Sequence, residues 1–227
     1  MFQILPWLLL AILGILLLID TYQILPMVVL FICPTCVRST FDDRSLSIIL
    51  KPGNSVLNEL LENFKVLGFS LIGLKVEHTP LWGPTYREIS LVSEHDNTYA
   101  SIILHPDLSP ASKYCYTPIE QGGMVFTRDF AAGDEAEGER ISVKNVPEAS
   151  PAELVSSHTQ RLDMFHERGM TFSVRNSRQA RLSATNDFYL SEYAKGAQRR
   201  VWWPRIRRWV ILWGLFLLMV VLTILSL

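Results

Sequence analysis

Charge is missing from the start of this chain: residues 2–19, FQILPWLLLAILGILLLI, contain no Asp, Glu, Lys or Arg. At 1.5 Å per residue such a helix spans roughly 27 Å, close to the ~30 Å hydrocarbon core of a bilayer. A cleaved signal peptide opens on a basic segment and ends at a small-residue site. Both are missing, which predicts a retained membrane helix. An excess of one charge sign is missing too, with 21 Lys and Arg against 22 Asp and Glu. That balance excludes wholesale nucleic-acid binding, which needs a basic surface. Cysteine is scarce, at three residues in 227, which excludes a disulfide-built scaffold and a four-cysteine zinc site. The chain also lacks a Gly-rich phosphate loop, a dinucleotide fingerprint and a Gly-x-Ser-x-Gly elbow, so phosphate-binding and serine-hydrolase chemistry have no visible signature. His158 and His166 lie eight residues apart on one helix, too far to share a metal ion. No metal, cofactor or catalytic residue is expected on these grounds, and the balance tips away from an enzyme.

Hydrophobic ends and a polar middle are what the chain does have. Asp20-Thr-Tyr-Gln23 interrupts the first apolar run, and ILPMVVLFICPTCV follows at 24–37. This second run is short and holds Pro26 and Pro34. It completes a helical hairpin, lies in the interface, or extends a kinked first helix; the hairpin is the reading preferred. Residues 209–227, WVILWGLFLLMVVLTILSL, form another uncharged stretch long enough to cross a bilayer. Trp202 and Trp203 precede it among Arg199, Arg200, Arg205, Arg207 and Arg208, with Trp209 and Trp213 at its start. Indoles favour the headgroup level, and arginine beside a membrane helix stays in the cytoplasm. Arg38 and Arg44, after the first apolar region, agree. The expected organisation is membrane segments at 1–37, a cytoplasmic domain at 38–200, and a basic, Trp-rich juxtamembrane segment with a transmembrane helix at 201–227. Anionic lipid headgroups are the partner these arginines suit, each worth on the order of 1 kcal/mol near such a surface.

Within the middle segment, NSVLNELLENFKVLGF places Val56, Leu57, Leu60, Leu61, Phe64 and Leu67 on one helical stripe. Asn54 or Ser55 can cap it, and Gly68 suits the left-handed residue that ends it. Strand-like runs follow at 69–77, 86–93, 98–105, 113–117, 124–130 and 140–144, each bounded by turn residues. Short connections favour an antiparallel meander. Ser150-Pro-Ala-Glu153 has the form of a capping box and opens a helix to about 168, on which His158 shares a face with Leu154 and Leu162. A third helix is expected around 178–198. These elements predict an α+β domain: a small antiparallel meander packed with two or three helices, flanked by hydrophobic segments.

Two stretches invite a functional reading. Cys33-Pro-Thr-Cys36 has the spacing of a thiol-redox pair, but the flanking sequence lacks the strand and amphipathic helix of a thioredoxin-like site. The simpler expectation is a pair of inert, reduced cysteines where the chain leaves the membrane. Trp82, between Pro80 and Pro84, is either an exposed contact residue or a plug at the sheet edge. The order of an apolar N-terminus, a helix ending in LGF, a strand meander and the SPAELVSSHTQRL helix resembles a group of uncharacterised bacterial membrane-associated proteins. The likeness covers roughly residues 55–168 and implies no activity. The function expected is a cytoplasm-facing binding or scaffolding module acting at the membrane with a protein partner; the alternative is a membrane thiol-redox enzyme using Cys33 and Cys36.

Overall fold

A computed structural model describes residues 4–50, 55–131 and 133–225. Asn54, offered above as a cap, lies outside them, as do the extreme ends of the apolar runs 2–19 and 209–227. The chain divides into two compact units. One comprises residues 38–78 and 85–193; the other gathers the residues up to Val37, those from Ala194 onward, and the loop 79–84.

The first unit is an α+β fold on one eight-stranded sheet. Strands β1 (Arg38–Phe41), β2 (Ser70–His78), β3 (Thr85–Ser93), β4 (Thr98–Leu104), β5 (Pro110–Pro118) and β6 (Met124–Arg128) run as an antiparallel meander. The expected pattern then departs from a pure meander. The chain passes through β7 (Ala136–Glu137) to β8 (Ile141–Asn145), which pairs parallel with β6 and leaves β7 outermost. A register shift between Leu71 and Gly73 marks a bulge in β2. Gly73 has φ +150°, and a Cβ there would stand 3.0 Å from the Phe41 ring. Only glycine takes both that angle and that approach.

Helices cover both faces, and their ends are written locally. Helix α2 (Asp43–Ile49) is capped by Asp42, whose carboxylate accepts from the Arg44 and Ser45 amides. Helix α3 (Ser55–Val66) ends as the LGF triplet predicts. Gly68 has φ +86°, its amide donates to Lys65 and that of Phe69 to Phe64, while the Phe64 and Phe69 rings meet edge-on at 5.5 Å. This is the paired hydrogen-bond and hydrophobic closure of a Schellman end. Helix α4 (Pro151–Glu167) carries the full capping box, Ser150 and Glu153 each bonding the other's amide. With α2 and α3 it closes an apolar core on Leu57, Phe64, Leu74, Ile89, Ile102 and Leu154. The third predicted helix is in fact two. Helix α5 (Arg178–Leu190) stops at Ser191, whose backbone is extended, before α6 (Glu192–Leu225) begins.

In the second unit, α1 (Ile4–Ile32) is unbroken, which overturns the hairpin. Pro26 has no N–H to offer the Tyr22 carbonyl four residues earlier. The indole of Trp82 supplies one instead, donating to that oxygen at 2.5 Å while its ring stacks on Tyr22 at 4.4 Å. The helix therefore keeps its bonding through the proline. Helices α1 and α6 lie antiparallel, as their contacts show: Gly14 against Phe216, Thr21 against Trp209 and Trp213, Phe31 against Trp203. Thr21 donates to Leu17 and accepts both indole N–H groups at 2.9 Å, so no polar atom of that contact is left unpaired. Leu10, Leu17 and Ile24, seven residues apart, are buried, a coiled-coil-like seam. Both helices are long and apolar enough to cross a membrane, with mean hydropathy 2.3 over their most apolar stretch.

Candidate functional site

The two faces of the sheet are built differently. Alternation sends Leu74, Val76, Ile89, Ala100 and Ile102 to the core under α3 and α4, while Lys75, Glu77, Glu88, Ser90 and Ser101 go to the face under α5. The α3 and α4 face is mostly apolar, with His158 buried on it beside Thr117 and Thr127. The histidine is wholly buried, 3.0 Å from Thr117 Oγ1 through Nε2 and 3.0 Å from Thr127 Oγ1 through Nδ1. The Thr117 hydroxyl donates to the Asn97 carbonyl at 2.6 Å, so it accepts from Nε2–H, and Nδ1 accepts from Thr127. Burial, with Arg161 nearby, lowers the imidazole pKa to about 3, so this histidine is neutral and serves packing.

On the other face, Ser177 caps α5 and sets its pitch so that Arg181, Ala184, Thr185 and Phe188 turn toward the sheet. Arg181 is 2 % exposed and Lys75 1 %. Charges that deep persist only when paired and hydrogen-bonded. Glu88 receives Lys75 Nζ at 2.8 Å and Arg181 Nη2 at 2.9 Å on one oxygen, and the Tyr114 hydroxyl at 2.6 Å on the other. Lys75 also meets Glu77 at 2.8 Å and Thr185 at 2.9 Å. Arg181 further donates to Ser90, Ser101, Thr185 and Tyr114, and its guanidinium lies over the Tyr99 ring at 5.2 Å. Tyr189 of α5 donates to Glu77 at 2.6 Å. Two cations and two anions thus cancel within a closed polar floor.

The electrostatics follow from that packing. Burial alone disfavours an ionised Glu88, but Lys75 and Arg181 outweigh it and hold the carboxyl pKa at about 2. Burial and the Glu88 carboxylate push the Tyr114 hydroxyl well above its usual range, and burial with Glu77 does the same to Tyr189. Both phenols stay protonated at neutral pH and act as fixed donors. Above this floor is a cavity of about 250 Å³ walled by Tyr86, Ile103, Phe126, Phe130 and Phe188. It reaches the surface, because Tyr86 is 53 % exposed. An apolar wall with a few convergent polar groups whose pKa values are perturbed is the usual composition of a small-molecule site.

The residues singled out from sequence lie elsewhere. Cys33 and Cys36 do come together, but as a disulfide rather than as reduced thiols. The Cys36 amide donates to the Cys33 carbonyl at 3.0 Å, closing a 3-10 turn over Pro34–Cys36 that brings the Cα atoms to 5.5 Å, within bridging range. Trp82 is 45 % exposed, and both its N–H and one ring face are engaged by Tyr22. Arg199, Arg200, Arg205, Arg207 and Arg208 of α6 are exposed, Trp203 stacks on Phe31 at 5.8 Å, and Trp202 is half-buried. Among the described residues no cluster of His, Cys, Asp and Glu is arranged to hold a metal ion. The chain matches no family model, no curated protein and no solved structure.

The floor escaped sequence reading because Leu74-Lys75-Val76-Glu77 has the alternation of a strand with one wet face. The one available signal was on α5. Arg181, Thr185 and Phe188 share its face with Ala184, so the stripe that must meet the sheet carries an arginine, and a buried arginine requires a carboxylate opposite.

Proposed function

We propose that the protein is a membrane-anchored binding module, held by α1 and α6, whose domain faces the cytoplasm and receives a small ligand in the cavity under α5. The cavity carries this reading: an aromatic chamber over a preorganised, charge-balanced floor, opening to the surface. The exposed arginines before the apolar part of α6 support the cytoplasmic side and contact with anionic headgroups. Ile103→Trp is expected to fill the chamber. In a thermal screen of small molecules, hits at a hundredfold excess over Kd should stabilise the wild-type chain by about 2.7 kcal/mol and leave Ile103→Trp unmoved. A screen in which wild type and variant respond alike would refute the site.

The bridged Cys33–Cys36 pair favours a second reading, thiol–disulfide exchange beside the membrane. One labelling experiment addresses both chemistry and side. In a Cys115→Ser background treated with reductant, an impermeant maleimide should reach Cys33 and Cys36 only after permeabilisation. Labelling of intact cells after reduction would put the domain on the other side. A requirement for reductant after permeabilisation would favour the redox reading, because exposed cytosolic disulfides are otherwise kept reduced.

A further inference from the structure

We infer that the cavity under α5 selects a ligand bearing an amine on an aromatic or apolar body of roughly ten non-hydrogen atoms, an inference that rests on the cavity being a binding site. The size follows from proportion: a cavity of about 150 Å³ takes benzene, and this one has about 250 Å³.

The chemistry follows from an inventory of donors and acceptors. Lys75 has three N–H groups and spends them on Glu77, Glu88 and Thr185. Arg181 donates through Nε to Ser90, through Nη1 to Thr185, and through Nη2 to Glu88, Ser101 and Tyr114. The Tyr114 and Tyr189 hydroxyls are both donated to carboxylates. Acceptors are the surplus. Glu88 is crowded by Lys75, Arg181, Ser101 and Tyr114, but Glu77 receives only Lys75 and Tyr189 among the described residues. An ionised carboxylate offers about four acceptor positions, so Glu77 keeps unused capacity, as does the Tyr189 oxygen, and both line the cavity.

Charge points the same way. Glu88 has Arg181 close at hand, whereas Glu77 shares its lysine with Glu88, which makes the Glu77 end the more negative part of the floor. Arg87, the other charged residue at the cavity, lies cross-strand from Val76 and belongs to the opposite side of the sheet. Tyr86, Phe126, Phe130 and Phe188 supply the aromatic wall for the ligand's apolar body; the Phe126 and Phe130 rings already hold the Arg128 guanidinium, at 5.7 and 4.9 Å. An anion would meet the Glu77 carboxylate, whereas a cationic donor finds its unused acceptor positions.

The test uses the full chain in lipid nanodiscs, with empty discs as the partition control, and three probes of one shape. These are phenethylamine (a donor cation), acetophenone (neutral, acceptor only) and 3-phenylpropionate (an anion). Equilibrium dialysis should show phenethylamine binding at least tenfold more tightly than acetophenone, with 3-phenylpropionate weakest. Glu77→Gln should reduce the amine's affinity about tenfold and leave acetophenone unchanged; Tyr189→Phe, a milder change, should shift it in the same direction. Acetophenone or 3-phenylpropionate binding as tightly as the amine to the wild-type chain would overturn the amine assignment while leaving the binding site intact. No probe binding above the empty-disc level would overturn the binding site as well.

Discussion

Arg181→Leu should cost the domain about 3–5 kcal/mol, the usual penalty for stranding one partner of a buried ion pair. The guanidinium is almost wholly enclosed and faces Glu88 at 2.9 Å. Without it, the floor holds two carboxylates against Lys75 alone, and Ser90 and Ser101 lose their donor. The double variant Arg181→Met/Glu88→Leu should be far closer to wild type, because Lys75 and Glu77 then remain as a matched pair and the apolar replacements fill the space. Urea titration of the detergent-solubilised chain, following the near-ultraviolet signal of the tyrosine-rich sheet, measures both. Equal losses in single and double variants would mean that the cost lies in packing rather than in unbalanced charge.

Acidification should weaken the fold through His158 before Glu88 responds. Its folded pKa, about 3, lies below the 6.5 of a free imidazole. The unfolded chain therefore binds the extra proton first. The stabilisation is complete above pH 6.5 and is lost as pH falls toward 3, at no more than about 1.4 kcal/mol per unit. Between pH 7 and pH 5 the loss should be about 2 kcal/mol. Glu88, held at about 2 against an ordinary 4.5, adds its own loss only below that window. His158→Gln should flatten the stability profile between pH 7 and 5, whatever its absolute stability. An unchanged slope in that variant would show that His158 is reached by protons in the folded state.

What could be read from the sequence was what is decided within a few residues. Gly68 after Leu67, and Ser150-Pro-Ala-Glu153, specify their helix ends because the groups that satisfy the free amides and carbonyls are their own neighbours. Strand positions followed likewise from turn residues and β-branched runs. Several misreadings share one cause, a partner distant in sequence. Pro26 should kink or end α1, but an indole sixty residues away restores the bond it removes. Lys75 and Glu77 read as a solvent face until α5, more than a hundred residues later, covers them. The parallel β6–β8 pairing likewise depends on how the 129–140 segment returns, not on its composition. Asp20-Thr-Tyr-Gln23 suggested a break, yet Thr21 is the residue that both indoles of α6 bond.

That a ligand enters under α5 is tested most directly on two adjacent isoleucines. Ile103 lines the cavity, and Ile102, its neighbour in β4, is fully buried on the opposite face. With ¹³C-methyl isoleucine in the full chain, titration with phenethylamine should move the Ile103 methyl resonance saturably and leave that of Ile102 in place. A stationary Ile103 methyl, or equal drift of both, would contradict the account.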